Sequence, residues 1–386
     1  MNPDEAGAPG MGVVLREWGR IGCIGFGGPP AHIALLRELC VQRKGWLSDH
    51  EFEDAIAATN LLPGPASTQL AIYCAWRLRG IRGALVGGLS FIVPGLVLIL
   101  ALAALFLAAS PPVWVLGAGA GAGAAVAAVA LHAGANLAPA SWRRAASRSR
   151  WIAYALAGAL SAAVIGIWLV LVLLACGAVE LALRRGPSEP TIAGIGAWPL
   201  LAVSGAASGG LLALAWVAFK VGALSYGGGF VIIPLMQHDA VDTYHWMTAG
   251  QFLNAVALGQ VTPGPVVQTI AVVGYAAAGV GGGALAAAVA FAPSFCFVLI
   301  GARRFDRLRA NRSVRAFLDG AGPAAIGAIA GSAVPLALAL GEPWQLVVLA
   351  AAAVALLAWR RGVVATLLGA GAVGAFAGVL GAPVPS

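Results

Sequence analysis

Charge is what this sequence has least of. Asp, Glu, Lys and Arg make up 10% of its 386 residues, against roughly 25% in a soluble domain. With 60% hydrophobic residues and a mean hydropathy of +0.89, the chain reads as a polytopic membrane protein. It also lacks the alternating ten-residue segments of a membrane β-barrel, whose polar lumen face would break up the apolar runs. Those runs, 84–109, 113–137, 151–183 and 284–300, have the length of helical spans, about 20 residues each. The expected class is therefore all-α.

Other absences narrow the function. The five cysteines, Cys23, Cys40, Cys74, Cys176 and Cys296, show no CxxC spacing, so neither a zinc site nor a redox pair is indicated and they read as small packing residues. An intramembrane protease or lipid transferase would need a carboxylate pair, a metal cluster or a nucleophile with its base inside the spans. The apolar segments hold Arg20, Lys220, Glu180 and Asp54 but no HExxH and no histidine pair, and His32 has no histidine counterpart at position 232. No GxxxxGK[ST] stretch offers an ATP site. Asp4 and Glu5 replace the basic start of a signal peptide, so the first hydrophobic helix is expected to stay. The net charge of +8 comes from arginines in short loops between apolar segments. They read as topology markers, which excludes nucleic acid as a partner.

What is present is a stretch that occurs twice. Asn60-Leu61-Leu62-Pro63-Gly64-Pro65-Ala66-Ser67-Thr68-Gln69 is followed 200 residues later by Gln260-Val261-Thr262-Pro263-Gly264-Pro265-Val266-Val267-Gln268-Thr269. Proline removes a backbone donor and pushes the preceding residue out of the helical region, so each Pro-Gly-Pro must break a helix. Pro65 and Pro265 are each suited to the first position of the next helix. A second break, Gly25-Phe26-Gly27-Gly28-Pro29-Pro30, has its counterpart at Tyr226-Gly227-Gly228-Gly229. In a bilayer, irregular backbone survives only when buried in protein or lining a wet cavity, so all four breaks are site candidates.

Around these breaks the chain divides into an N-terminal repeat 1–185, a linker 186–199 and a C-terminal repeat 200–386. Gly22, Ile33, Leu35, Trp46, Phe52, Ala55, Ala57, Ala71, Gly83, Ala84, Leu85 and Phe91 recur at the same spacing of 200, which reads as a repeat without a gap. Ser48 and Glu51 have capping-box spacing and predict a helix that stops at Pro63, with a second from Pro65 to about Arg77. Each piece is about 12 residues, or about 18 Å, too short to cross a core of about 30 Å. Each Pro-Gly-Pro is therefore expected at the tip of a re-entrant hairpin.

The arginines do not repeat. Arg77, Arg79 and Arg82 precede the first post-hairpin span, whereas Arg303, Arg304, Arg307, Arg309, Arg312 and Arg315 follow the second. The positive-inside rule then orients the two repeats oppositely. About ten transmembrane helices plus two re-entrant hairpins in two inverted-topology repeats satisfy this, with Arg16 and Arg20 left awkwardly on the outer side. Inverted repeats with broken helices meeting near the midplane are the architecture of secondary transporters.

The helix starts after each Pro-Gly-Pro, with Ser67, Thr68, Gln69, Thr262, Gln268 and Thr269, would form a donor-rich pocket without nearby carboxylates, which favours a tetrahedral oxyanion. Arg20 and Lys220 would supply counter-charge. The expected substrate-binding set is thus Arg20, Gly27, Gly28, Asn60, Pro63, Gly64, Pro65, Ser67, Thr68 and Gln69 in the first repeat. In the second it is Lys220, Gly227, Gly228, Gly229, Gln260, Thr262, Pro263, Gly264, Pro265, Gln268 and Thr269. No catalytic residue, metal or cofactor is expected.

The stretches FGGPPAHI, GWLSDHEFEDAIA and NLLPGPASTQLA, with their echoes SYGGGFVIIPL and QVTPGPVVQTIA, resemble the chromate transporter (chromate ion transporter) family in its long two-domain form. The resemblance implies a secondary transporter that exports chromate from the bacterial cytoplasm across the inner membrane and confers chromate resistance. Sulfate or another small anion is the alternative cargo. The implied partners are the oxyanion, the lipid bilayer and a second copy of the chain as a homodimer. The first repeat has Gly-Gly-Pro-Pro where the second has Gly-Gly-Gly-Phe, so the two half-sites need not contribute equally.

Overall fold

The computed structural model describes residues 9–60, 62–165, 169–184, 210–225, 229–301 and 311–384. Gly227, Gly228, the linker 186–199 and the arginines at 303, 304, 307 and 309 lie outside the described residues. Those described are helical, with no strand among them. Four helices are long and apolar enough to cross a membrane: Ala66–Phe106, Val113–Arg144, Val266–Gly301 and Arg312–Leu338. Leu89 and Val97 of the first, Val280 and Ile300 of the third and Val334 of the fourth are exposed, as lipid-facing side chains of such helices should be.

Helix α1 (Met11–Ile24) ends where Gly25 begins the first break. After Gly27 and Gly28, both at positive φ, α2 (Pro29–Arg37) starts with proline in its first turn and runs into a widened π turn, Glu38–Arg43. Helix α3 (Asp49–Thr59) is opened by the expected capping box: Ser48 Oγ accepts from Glu51 N–H, and the Glu51 carboxylate accepts from Ser48 N–H. Pro-Gly-Pro follows, and α4 (Ala66–Phe106) leaves it with Pro65 as the N-cap, one position earlier than expected. The arginine-rich segment expected as a loop is a kink inside α4, with Gly80 at φ 58°. The first limb of α4 is therefore about 13 residues, roughly 20 Å.

Helix α5 (Val113–Arg144) comes next. The run 151–183 then gives two helices, α6 (Arg148–Leu160) and α7 (Leu169–Arg184). The second half opens with α8 (Leu211–Leu224) and the short α9 (Ile233–Gln237), again followed by a π turn, His238–Thr243. Helix α10 (Ala249–Val261) has its own capping box from Thr248 and Gln251, and α11 (Thr269–Gly301) kinks at Gly279, φ 64°. Helices α12 (Arg312–Gly331), α13 (Ala333–Leu338), α14 (Pro343–Ala353) and α15 (Val363–Val379) complete the chain.

The paired features correct the register. Up to Pro-Gly-Pro they are 200 residues apart: the π turns, the capping boxes, and the bonds from Trp46 N–H to the Cys40 carbonyl and from Trp246 N–H to the Ala240 carbonyl. Beyond it they are 199 apart. Gly80 pairs with Gly279 and Pro94 with Pro293, while Gly22 packs on the Phe91 carbonyl and Gly222 on that of Ala290. The second half is one residue shorter just after its turn, where Ala66-Ser67-Thr68 faces Val266-Val267 and a 3₁₀ turn, Val266–Gln268, replaces the start of an α-helix. The matches at 200 beyond the turn, such as Ala71 and Leu85, reflect a chain rich in alanine and leucine.

Close backbone approach holds the long helices together, as expected where lipid is as apolar as the side chains. Helix α1 packs on α4, α8 on α11, and α4 on α11. A Cβ on Gly117 would fall on the Gly374 carbonyl, joining α5 to α15, and one on Gly158 would fall on the Ala324 carbonyl, joining α6 to α12. Glu180 of α7 is buried and bonds α7 to α6. It accepts from Arg150 Nη2 at 3.3 Å, Arg184 Nε at 2.6 Å and Tyr154 OH at 3.1 Å, and Arg184 also reaches Asp319 of α12 at 2.8 Å.

The cap of α3 carries a pH signature. The Ser48 N–H, helped by Arg77, holds the Glu51 carboxyl below its ordinary value of 4.5. A carboxyl depressed in the folded state contributes stability that is fully present above its ordinary value and is lost as pH falls through the folded one. Glu51→Gln, which keeps the cap as Gln251 does, is expected to lose this acid-side slope. Melting temperatures of wild type and variant in detergent between pH 6 and roughly pH 3 check it, and identical slopes would refute it.

Candidate helix-break site

Both Pro-Gly-Pro turns use the one residue type that adopts their backbone without strain: Gly64 has φ 115° and Gly264 φ 105°, in the left-handed region that glycine tolerates. In that conformation each glycine N–H points away from its own helix and into the other half. Gly64 N–H donates to the Ser225 carbonyl at 2.6 Å, and Gly264 N–H donates to the Gly25 carbonyl at 3.0 Å. Gly25 and Ser225 end α1 and α8. Each turn is thus bonded to the residue that ends a helix of the opposite half.

His32 ties the two sides together. Its Nε2 lies 2.9 Å from the Gly25 carbonyl and its Nδ1 3.1 Å from Ser67 Oγ, in a fully buried setting. A carbonyl only accepts, so Nε2 carries the proton. In the neutral ring Nδ1 then accepts from the Ser67 hydroxyl. His32 is a satisfied interior histidine, and its bonds run from the first turn through Gly25 to Gly264.

The expected donors differ in what remains free. Thr262 Oγ1 donates to the Leu258 carbonyl and Thr269 Oγ1 to that of Val266, so both bond to their own helices. Gln69 Nε2 donates to the Pro63 carbonyl at 2.6 Å, and Gln268 Nε2 to the Ile92 carbonyl at 2.8 Å. Thr68 Oγ1, Gln260 Nε2 and the side-chain oxygens of Gln69 and Gln268 are buried without a partner. Asn60, at the end of α3, is exposed. Gly28 and Gly229 pack against Val266 and Val267. Pro63, Pro65, Pro263 and Pro265 shape the turns, and Gly27, at φ 98°, turns the first break.

The cations are not free of carboxylates, contrary to the sequence reading. Lys220 Nζ is 2.6 Å from Asp239 Oδ2, both largely buried, and Arg20 Nε is 3.6 Å from Glu17 Oε2 with the arginine side chain 45% exposed. Sequence reasoning also missed Ser225 and Ser294, which are fully buried with unpartnered hydroxyls. Ser294 Oγ stands 3.3 Å from the point a Cβ on Gly64 would occupy. The Glu17 and Arg20 pair was visible as an i, i+3 spacing, whereas nothing in the linear pattern joins Lys220 to Asp239.

An all-helical membrane protein whose interrupted helices bond to each other's ends around buried, unfilled polar groups is by class a membrane transporter. Comparison with known proteins places it further. The family model described as chromate transporter matches residues 13–181 and 212–375. The chain is 32% identical over 327 residues to the chromate transport protein of Cupriavidus metallidurans, covering 82% of this chain and 80% of that one. It is 30% identical over 382 residues to the chromate transport protein of Pseudomonas aeruginosa, covering 92% and 89%. An uncharacterized transporter of Methanocaldococcus jannaschii is 26% identical over 313 residues, 77% of each chain. No solved structure matches. The chain belongs to the chromate transporter family.

The Lys220 pair shapes how any substitution must be read. Lys220→Ala leaves Asp239 buried and unpaired, a change that costs about 3–5 kcal/mol, so its loss of transport reports the fold as well as the site. Lys220→Met combined with Asp239→Asn is expected to restore membrane abundance and melting temperature close to wild type. A double variant as unstable as Lys220→Ala would show that the pair is not the reason for the loss.

Proposed function

We propose that this protein is a secondary transporter that carries chromate out of the bacterial cytoplasm across the inner membrane and so confers chromate resistance. The observation that carries the reading is the reciprocal bonding of the two Pro-Gly-Pro turns to the helix ends of the opposite halves, in a chain of this family. Two helix starts, several unpartnered hydroxyls and the Gln260 amide nitrogen lie at or near these turns inside an apolar body, where a tetrahedral oxyanion would find donors. For a dianion, an inside-negative potential favours exit by about 4.6 kcal/mol per 100 mV, twice the single-charge value.

The topology proposed for this transport is two inverted repeats with about ten spans and two re-entrant hairpins. Support comes from the short α3 and α10, from the early kinks at Gly80 and Gly279, and from paired features that run through both halves. Single cysteines at Arg82 and Arg312, in a variant stripped of the native cysteines, are expected to resist a membrane-impermeant thiol reagent in whole cells and to react in inverted vesicles. Labelling of the two positions from opposite sides would overturn the inverted arrangement.

Sulfate or another small oxyanion is the second reading, favoured by a donor set of neutral hydroxyls and amides that recognises tetrahedral geometry more than a particular central atom. Uptake of labelled chromate and labelled sulfate into inverted vesicles separates the two. Chromate uptake that is saturable and exceeds sulfate uptake is the expected result, and preferential sulfate uptake would reassign the cargo.

A further inference from the structure

We propose that the oxyanion is held at one side of the paired turns, by the hydroxyls of Thr68, Ser225 and Ser294 around Gly64, while the equivalent place at Gly264 offers no unpartnered hydroxyl among the described residues. The proposal rests on the oxyanion-transporter reading and assigns its site to three residues.

The two turns are built alike but lined differently. Ser225, whose carbonyl receives Gly64 N–H, corresponds to Gly25, whose carbonyl receives Gly264 N–H. Ser294, beside Gly64, corresponds at the spacing of 199 to Gly95, beside Pro263. Ser67 and Thr68, in the first turn of α4, face Val266 and Val267 in the second half. At each of these places the first turn has a hydroxyl where the second has a glycine or a valine.

The packing differs in kind. A Cβ on Gly95 would fall on the Pro263 carbonyl, so α4 and the second turn touch through backbone. Val266 and Val267 fill the region against Gly28 and Gly229. At the first turn the corresponding position of α11 is Ser294, and Gln69 Nε2, Ser294 Oγ and the Gly222 carbonyl lie 2.6, 3.3 and 3.5 Å from the point a Cβ on Gly64 would occupy, so polar side-chain atoms stand close to this turn.

The hydroxyls themselves are unusual. Four are buried without a partner among the described residues, those of Thr68, Ser161, Ser225 and Ser294, and three of the four belong to the first turn and its surroundings. Thr68, Ser225 and Ser294 are each 0% exposed. Buried polar groups almost always find partners, so a cluster of hydroxyls without one calls for a missing acceptor. The start of α4 adds to the demand, because Pro65 caps it without any side-chain bond and its N–H groups favour negative charge. An unprotonated tetrahedral oxyanion supplies acceptors in several directions at once.

The test combines transport with stability. Thr68→Val, Ser225→Ala and Ser294→Ala are made in the full chain, with Ser332→Ala as control. Ser332 is equally buried, but its hydroxyl donates to the Ile329 carbonyl. Each pocket variant is expected to raise the KM for labelled chromate in inverted vesicles about tenfold, the weight of one hydrogen bond to a charged group. Without anion its melting temperature should stay level or rise, since an unsatisfied buried group has been removed, and the upward shift on adding chromate or sulfate should shrink. Ser332→Ala should keep the wild-type KM. An unchanged KM in all three pocket variants, or a raised KM matched by an equal fall in anion-free stability, would overturn the pocket. Wild-type vesicles that take up neither chromate nor sulfate would overturn the transporter reading itself.

Discussion

Two backbone hydrogen bonds organise the interior: Gly64 N–H to the Ser225 carbonyl and Gly264 N–H to the Gly25 carbonyl. A helix broken inside an apolar body leaves amides and carbonyls that no water can satisfy, and each such group costs several kcal/mol in hydrocarbon. Breaking one helix would therefore be prohibitive. Breaking several at matched positions lets the donor freed by one turn meet the carbonyl freed at the end of a helix in the other half. The positive φ of the central glycine is what swings the N–H outward, so the Pro-Gly-Pro sequence and the bonding across halves are one device.

That device needs close helices, and glycine provides the proximity. Gly22 lets α1 lie on the Phe91 carbonyl, and Gly222 lets α8 lie on that of Ala290. These contacts bring Gly25 and Ser225, three residues further along, within reach of the turns. His32 then fixes the Gly25 carbonyl from a second side while holding Ser67 at the start of α4, so a short run of bonds connects one turn to the other.

Local signals in the sequence were reliable where covalent chemistry dictates conformation. The capping box at Ser48, the interruptions at Pro63 and Pro263, and the break at Gly25 follow from residue types whose backbone preferences outweigh their surroundings. The register beyond the turns was not legible, because alanine and leucine are so frequent that chance identities at 200 mask the true spacing of 199. It becomes visible from Gly80, Gly279, Pro94 and Pro293, whose roles are geometric. The partners of Lys220 and Gly64 were hidden for a different reason. Asp239 and Ser294 reach them through tertiary packing, and a lone serine in an apolar helix looks like any other until its missing hydrogen-bond partner is seen.

The charge pairs bear on how an anion would move through this frame. Lys220 is matched by Asp239, and Glu17 pairs with both Arg20 and the exposed Arg16, so these pairs leave no unmatched cation buried beside the helix breaks. A site that held a dianion with two unpaired cations would form a neutral complex, and the membrane field would act on the return of the empty, positive carrier. With hydroxyls, amides and helix starts as the donors, the loaded carrier keeps the anion's full charge and the empty one carries none. In the proposed export the field then drives the loaded step directly, and it leaves the return of the empty carrier to the protein's own conformational balance.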